Sequence, residues 1–134
     1  MDSQSDDVLI SDRISLLREV EIFSETSDNV LMEIASFLKE MKVKQGQNVF
    51  KKGEDGDAMF IIKSGTVRVH DGNHVLSRLK SGQVFGEFAL FDNESRSASV
   101  TAEESTILLK LEQNDFFKVM MNKAEVTKGV LRKV

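Results

Sequence analysis

The 134-residue sequence predicts an α+β fold that is mainly β: an antiparallel jelly-roll β-barrel flanked by N-terminal and C-terminal helices. Three observations support this prediction. Near both ends, apolar residues recur at three- and four-residue spacing, which is typical of a helix with one buried face. Over residues 42–111 the spacing falls to two, as it does in strands. Glycines interrupt those strands at regular intervals, as in antiparallel sandwiches and barrels.

The N-terminal segment predicts a tail and two helices. Residues 1–12 carry four aspartates and no basic residue, and we expect a flexible acidic tail there. Helices are predicted over residues 13–40, the first capped by Ser11 or Asp12 and the second ending near Lys39. The second helix has one apolar stripe, formed by Val30, Leu31, Ile34, Phe37, Leu38 and Met41.

The middle segment, residues 42–111, predicts short antiparallel strands. Residues 66–75 indicate a hairpin, because their Asp-Gly pair supplies the positive-φ chemistry of a tight turn. Two further strands are predicted at residues 97–101 and 106–111. The turn glycines that separate the apolar runs are Gly46, Gly53, Gly56, Gly65, Gly72 and Gly82.

Helical spacing returns after residue 111, and we expect lid or hinge helices over residues 113–134. Gly129 interrupts this segment at a cost of about 1 kcal/mol relative to alanine, so it can act as a hinge or a break. The apolar positions of this segment are Phe116, Phe117, Met120, Met121, Val126, Val130, Leu131 and Val134.

The position of the charges argues against several functions. The net charge of −4 lies entirely in the first 12 residues, since residues 13–134 carry 18 basic and 18 acidic side chains. A neutral body argues against direct nucleic-acid contact, which requires a basic surface. No apolar run reaches the roughly 18–20 residues of a membrane span. The chain has no cysteine, so it forms neither a disulfide nor a thiolate zinc site, and we expect a cytoplasmic location.

Residues 82–100 interrupt the strand pattern and contain the parts of a site for a small phosphorylated ligand. Gly86 permits a close approach of the backbone, and residues 87–91 can form one helical turn with free N–H groups. Arg96 can grip two phosphate oxygens, and Glu87 can accept a hydrogen bond from a sugar hydroxyl. The alternative is a plain ion pair between Glu87 and Arg96, which contributes little at a surface.

This stretch resembles the phosphate-binding cassette of cyclic nucleotide-binding domains, as found in the catabolite activator protein and in the regulatory subunit of protein kinase A. The matching residues are Phe-Gly-Glu-Phe-Ala-Leu at 85–90 and Arg-Ser-Ala at 96–98. The resemblance covers residues 14–122, because the turn glycines and strands at 53–57 and 60–67 also follow the family's order and spacing.

The resemblance implies a set of ligand-binding residues. The Glu87 carboxylate would take the ribose 2′-hydroxyl, while Arg96 and the amides of Ala89, Leu90 and Ser97 would hold the cyclic phosphate. The last three residues of the set lie where family members line the base pocket, and ordinary core positions are the alternative for them. The implied set is Phe85, Gly86, Glu87, Ala89, Leu90, Arg96, Ser97, Val69, Leu76 and Ser77.

Two positions bear on how the ligand is held. Many family members carry proline just before the cassette arginine, and Ser95 stands there instead, which loosens the turn without removing a ligand contact. Ser97 occupies the position that helps to choose the base, where serine occurs in the cAMP-binding bacterial activator. Since its hydroxyl serves either purine, the resemblance favours cAMP over cGMP only weakly.

These features together predict a regulatory sensor rather than an enzyme. We expect no catalytic residues, no cofactor beyond the ligand cAMP or cGMP, and no metal, since His70 and His74 only flank a hairpin turn. Binding is expected to repack the C-terminal helices as a lid and to signal to a covalently linked output domain or a protein partner. We favour an excised input domain over a stand-alone sensor. The competing hypothesis is a module of the same fold that binds no ligand and mediates protein interaction or gating.

Overall fold

The structure is a computed structural model that describes residues 3–93 and 95–121. Its elements are helix α1 Ser3–Arg18, a 3-10 turn Glu21–Phe23, helix α2 Asp28–Phe37, strands β1 Lys39–Val43, β2 Asn48–Phe50, β3 Ala58–Ser64, β4 Thr66–Asp71, β5 His74–Lys80 and β6 Val84–Phe85, a 3-10 turn Glu87–Leu90, strands β7 Ser99–Ala102 and β8 Thr106–Glu112, and helix α3 over residues 113–121.

The strands form two antiparallel sheets that pack face to face. One sheet has the order β1-β8-β3-β6 and the other has the order β2-β7-β4-β5. The predicted antiparallel strands between flanking helices are confirmed, but the predicted barrel is wrong, because the two sheets are not closed into one. The edge strands give the reason: β2 has three residues and β6 has two, too few for a continuous ladder around a barrel.

Strand β3 separates two apolar clusters. All five residues from Ala58 to Ile62 are buried, because one face of the strand meets the helices and the other meets the second sheet. The helical cluster consists of Leu17, Val20, Phe23, Leu31, Ile34, Ala35, Leu38, Met59, Ile61, Leu90, Leu109, Leu111, Phe116 and Val119. The sandwich cluster consists of Val43, Ala58, Phe60, Ile62, Val67, Phe85, Val100, Ala102 and Leu108.

The N-terminal helices differ from their predicted bounds. Helix α1 begins at Ser3, so the predicted start at Ser11 or Asp12 is wrong, and residues 3–12, expected as a tail, lie in the helix. The sequence has no proline or glycine before Arg18, so nothing stops the helix from extending toward the N-terminus.

Helix α2 has the predicted apolar stripe but ends earlier than predicted. Ser27 caps α2 by accepting a hydrogen bond from the Val30 amide at 3.4 Å, and Leu31 and Ile34 are fully buried. The helix ends at Phe37 rather than near Lys39, which already belongs to β1. The two-residue spacing therefore starts earlier than expected, and Met41, assigned to the helical stripe, lies in a strand instead.

The predicted hairpin and the last two strands are confirmed. Strands β4 and β5 pair antiparallel around Gly72, which has a φ of +58°. Strands β7 and β8 lie within two residues of the predicted strand bounds. Helix α3 buries Phe116, whereas Phe117 is exposed. The predicted lid positions Val126, Gly129, Val130, Leu131 and Val134 lie outside the described residues. Within those residues, no helix combines the length and the apolar character that crossing a membrane requires.

Candidate functional site

A cavity of about 210 Å³ opens where the segment between β6 and β7 passes over the second sheet. Six residues of the predicted ligand set line it: Val69, Phe85, Gly86, Ala89, Arg96 and Ser97. The sequence did not single out six other lining residues as ligand contacts: Phe50, Phe88, Asp92, Ser95, Ala98 and Val100.

The other four predicted residues do not line this cavity. Leu90 is fully buried in the helical cluster. Leu76 on β5 leaves 54% of its surface exposed, and Ser77 is also exposed, although it pairs with Val69 across the β4–β5 ladder. Glu87 begins the 3-10 turn next to the cavity. Most cassette residues of the prediction therefore line the cavity, but Glu87, Leu90 and the predicted base-pocket residues on β5 do not.

Gly86 determines how the 3-10 turn begins. Its φ of +75° lies in the left-handed region, which side chains other than glycine rarely adopt. A Cβ atom at this position would also lie 2.7 Å from Nη1 of Arg96 and 3.2 Å from the carbonyl oxygen of Ala58. Glycine is thus required both by the backbone and by the close approach of the arginine.

The backbone of Arg96 is fixed by the turn that follows β2. The Arg96 amide donates to the carbonyl oxygen of Glu54 at 2.7 Å, and the Arg96 carbonyl accepts from the Gly53 amide at 2.8 Å. Within the same turn, a Cβ atom at Gly56 would lie 2.6 Å from Nε of Arg96. The predicted turn glycines therefore help to form the slot in which the arginine lies.

The guanidinium of Arg96 lies between a carbonyl and an aromatic ring. Its Nη2 donates to the carbonyl oxygen of Ala58 at 2.8 Å, and its Cζ lies 4.1 Å from the centroid of the Phe50 ring. Partial burial lowers the pKa of Arg96, whereas the charges of Asp57 and Glu54 raise it by attraction at longer range. Even so, the guanidinium stays protonated at physiological pH.

Arg96 forms no salt bridge within residues 3–93 and 95–121. Its predicted alternative partner, Glu87, forms no ion pair with it, and the ion pairs of this part of the chain lie elsewhere. The half-buried guanidinium has lost part of its hydration and has gained a carbonyl and a ring face, but no counter-ion among the described residues. An anion in the cavity would supply the missing partner.

One oxygen of the Glu87 carboxylate also lacks a hydrogen-bond donor among the described residues. That oxygen, Oε2, is buried and accepts no hydrogen bond from any residue that the structure describes. Buried acceptors are normally satisfied, and an unsatisfied one costs about 1–3 kcal/mol. A hydroxyl donor brought by a ligand would remove that cost.

The backbone donors of the 3-10 turn are partly in use. The Ala89 amide, which was expected to face the phosphate, donates to the Gly86 carbonyl at 3.1 Å. The Ala89 carbonyl accepts from Nε2 of Gln113 at 2.9 Å. The turn must therefore rearrange, or share the Ala89 amide between two acceptors, before this group binds an anion.

Aromatic and polar contacts connect the turn to helix α3. Phe91, which follows the turn, meets Phe116 edge to face with ring centroids 5.6 Å apart. The backbone N–H of Gln113 donates to the carbonyl oxygen of Asp57 at 2.8 Å, so the start of α3 is also attached to the turn beside Arg96. A displacement of the 3-10 turn must therefore disturb α3.

The two histidines belong to the β4–β5 hairpin. His70 contacts the Gly72 carbonyl at 2.8 Å and the Thr101 hydroxyl at 2.7 Å, and His74 is exposed. In the part of the chain that the structure describes, no three histidine, cysteine or acidic side chains come together as metal ligands would.

The family model of the cyclic nucleotide-binding domain matches residues 40–123, more than half of the chain. A cGMP-dependent protein kinase from Toxoplasma gondii is 36% identical over 102 residues, which cover 76% of this chain and 10% of the kinase. A cAMP-dependent protein kinase regulatory subunit from Debaryomyces hansenii is 30% identical over 114 residues, covering 84% of this chain and 25% of that subunit. The chain thus spans a quarter or less of these two relatives.

A solved structure has a similar fold. The regulatory domain of Toxoplasma gondii PKA, determined with cAMP, superposes with a TM-score of 0.75 and 21% identity, covering 98% of this chain and 52% of that one. At this identity the likeness concerns the fold alone.

Proposed function

The chain belongs to the cyclic nucleotide-binding domain family, and we propose that it is a regulatory sensor that binds a cyclic nucleotide, cAMP in preference to cGMP, at the cavity beside Arg96. One observation on the described residues carries this proposal: a half-buried guanidinium without a counter-ion lines a cavity, and Glu87, which follows the cavity-lining Gly86 in the chain, has a buried carboxylate oxygen without a donor. A cyclic phosphate and a ribose hydroxyl are the complements of these two groups.

Arg96 is the proposed phosphate ligand. Arginine has five N–H donors in a planar fork, and here one of its nitrogens is engaged by the Ala58 carbonyl. The remaining N–H groups find no acceptor in the described part of the chain and are available to phosphate oxygens. Charge-assisted bonds of this kind are about twice as strong as neutral ones.

Glu87 is the proposed ribose ligand. Because an ionised carboxylate only accepts hydrogen bonds, the buried Oε2 atom suits a hydroxyl and disfavours an anion. Arg96 and Glu87 would therefore take different parts of one ligand. These two contacts would fix the orientation of the bound nucleotide in the cavity.

Ser97 is the proposed contact to the base. It lines the cavity and is exposed, so its hydroxyl is free to donate or to accept. Relatives named for cGMP and for cAMP both match this chain. Our preference for cAMP rests on the serine at this position. Leu76 and Ser77 do not line the cavity and would reach the base only if β5 moved toward it.

The proposed output runs through helix α3. Anion binding at Arg96 would draw in the 3-10 turn, and the contacts of Phe91 with Phe116 and of Ala89 with Gln113 would transmit that movement. The receiver would be a linked output domain or a protein partner in the cytoplasm. In this role the chain performs no chemistry itself.

Isothermal titration with cAMP and with cGMP tests the proposal. The wild-type chain should bind, and Arg96→Ala should weaken binding by about 1.5–3 kcal/mol, or roughly 10- to 150-fold. The matched control is Arg68→Ala, which removes an equal charge next to Val69 on the opposite face of β4 and should leave affinity unchanged. Equal affinities of wild type and Arg96→Ala would overturn the assignment of the phosphate site.

A second candidate function has an observation in its favour. Phe88 and Phe91 leave 77% and 57% of their surfaces exposed beside the cavity, as expected of a module that contacts a protein instead of a nucleotide. This alternative predicts no thermal shift with cAMP or cGMP. A binding chain at ligand concentrations near 100 times the dissociation constant should instead gain about 2.7 kcal/mol in its free energy of unfolding.

A further inference from the structure

The partner that lies against the Arg96 guanidinium is an aromatic ring. Its Cζ is 4.1 Å from the Phe50 centroid and 5.9 Å from the Phe60 centroid, both within the range of cation–π attraction. The carboxylates of Asp57 and Glu54 attract the same charge, but neither forms an ion pair with it.

The Phe50 ring is itself held in place. Its centroid lies 6.0 Å from Phe60 and 5.8 Å from Phe85, and those two buried rings stack on each other at 5.2 Å. The backbone of Phe50 pairs with Val100 in the β2–β7 ladder. The face that Phe50 presents to Arg96 is therefore set by the sandwich cluster and not by the arginine.

Two glycines also lie close to the guanidinium. A Cβ atom at Gly56 would meet Nε at 2.6 Å, and one at Gly86 would meet Nη1 at 2.7 Å. The guanidinium thus lies in a slot with the Phe50 ring on one side and two glycines beside it. In such a slot the position of the arginine depends on the ring.

An aromatic partner suits an anion site better than a carboxylate does. A carboxylate would hold Arg96 but would also neutralise it and repel an incoming phosphate. The negative face of a ring attracts the cation without carrying a net charge. We infer that Phe50 is a positioning residue for anion binding, whose ring face holds the charged guanidinium at the cavity without neutralising it.

This inference rests on the proposed function, and fluorination of the ring tests it. Phenylalanine with one, two or three ring fluorines is placed at position 50 of the full chain, which weakens the negative face stepwise with little change in size. We expect the dissociation constant for cAMP to rise with each fluorine, reaching about 5- to 30-fold, and Phe50→Leu to match the end of the series. The matched control is the same series at Phe23, a buried ring of the helical cluster.

The titrations distinguish a failure of the proposed function from a failure of the inference about Phe50. If the wild-type chain binds neither cAMP nor cGMP, the proposed function fails and this inference fails with it. If the wild-type chain binds but its affinity does not follow fluorination at position 50, only the role of Phe50 is overturned.

A second measurement needs no nucleotide. Proton NMR of the free chain should show the side-chain protons of Arg96 shifted upfield by the ring current of Phe50. That shift should vanish in Phe50→Leu and persist through the fluorinated series. Arg96 protons at ordinary positions in the wild-type chain would overturn the placement of the ring over the guanidinium.

Discussion

The two faces of β3 are packed in different ways. On one face, Met59 and Ile61 are fully buried in the helical cluster. On the other face, Phe60 stacks on Phe85, which lines a cavity where the Arg96 cation has no counter-ion among the described residues. Both faces gain stability from buried apolar surface; we call the helical side the closed face and the side that borders this cavity the open face. Both faces hold the fold together, and under the proposed function the open face also receives the ligand.

The 3-10 turn Glu87–Leu90 belongs to both faces. Ala89 lines the cavity, while the next residue, Leu90, is fully buried in the helical cluster beside Phe116 and Val119. A turn of four residues has little freedom to move one of these side chains without the other. Ligand contacts on the open face are therefore expected to change packing on the closed face.

The largest effect is expected from Leu31→Ala on the closed face. Leu31 is fully buried in the helical cluster, and removing such a side chain costs about 2–5 kcal/mol through lost burial and an unfilled cavity. Urea titration should show that loss of unfolding free energy, while the folded fraction binds cAMP with wild-type affinity. A large loss of affinity in the folded variant would contradict the division of roles between the two faces.

Gly86→Ala should affect both stability and binding. The φ of +75° makes alanine costly by about 1–3 kcal/mol, and its Cβ would displace the guanidinium of Arg96. Gly82→Ala is the matched control, since its φ of +89° brings a similar strain with no atom within 4 Å of the added Cβ. Both variants should lose stability in thermal melts, but only Gly86→Ala should lose affinity for cAMP by titration. Equal cAMP affinities of Gly86→Ala and Gly82→Ala would show that nucleotide binding does not depend on the space beside Arg96.

Glu87→Gln is expected to have a smaller effect, confined to the open face. The change removes a charge from a buried oxygen without a donor, so the free chain should be no less stable. Binding of cAMP should weaken by about 0.5–1.5 kcal/mol, the usual contribution of one hydrogen bond. In a cycle with 2′-deoxy-cAMP, loss of the hydroxyl should weaken binding to the wild type but add nothing in the variant. Additive losses would mean that Glu87 does not contact that hydroxyl.

Local patterns predicted much of the fold and part of the site. The stripe of α2, the β4–β5 hairpin and the approach of Arg96 to Gly86 follow from spacing and turn chemistry within short segments, whereas Ala89 was named through the family resemblance. By contrast, the barrel prediction failed because closure depends on pairing between edge strands that are distant in sequence. The start of α1 was also missed, because Ser11 and Asp12 suit a helix cap as well as the residues nearer the N-terminus do.

The partner of Arg96 could not be predicted for the same reason. Phe50 stands in a short strand and has the sequence signal of an ordinary core residue. Its role depends on a β2–β7 ladder and on a turn at Gly53–Gly56 that brings Arg96 over the ring. Leu76 and Ser77 were named through the family resemblance, and their exposed positions on β5 lie outside the cavity.

The smallest effect is expected at the surface of the sheet β2-β7-β4-β5, where Lys52 contacts Asp71 at 2.8 Å. The hydrogen bond from Lys52, and next its charge, lower the pKa of Asp71 below the ordinary 3.8. The stability from this contact is therefore fully present above pH 3.8 and is lost as the pH falls through the lower pKa of the folded state. Because both side chains are exposed, solvent screens the pair and the loss should be slight.

Denaturation of wild type and Asp71→Asn, compared between neutral pH and about pH 3, measures this contribution. The two unfolding free energies should differ slightly at neutral pH and converge in acid, and Lys52→Met should follow Asp71→Asn at each pH. A difference that grows in acid would contradict the lowered pKa of Asp71. Unchanged cAMP affinity in both variants would show that nucleotide binding depends on the cavity and not on this charged contact at the surface of the sheet.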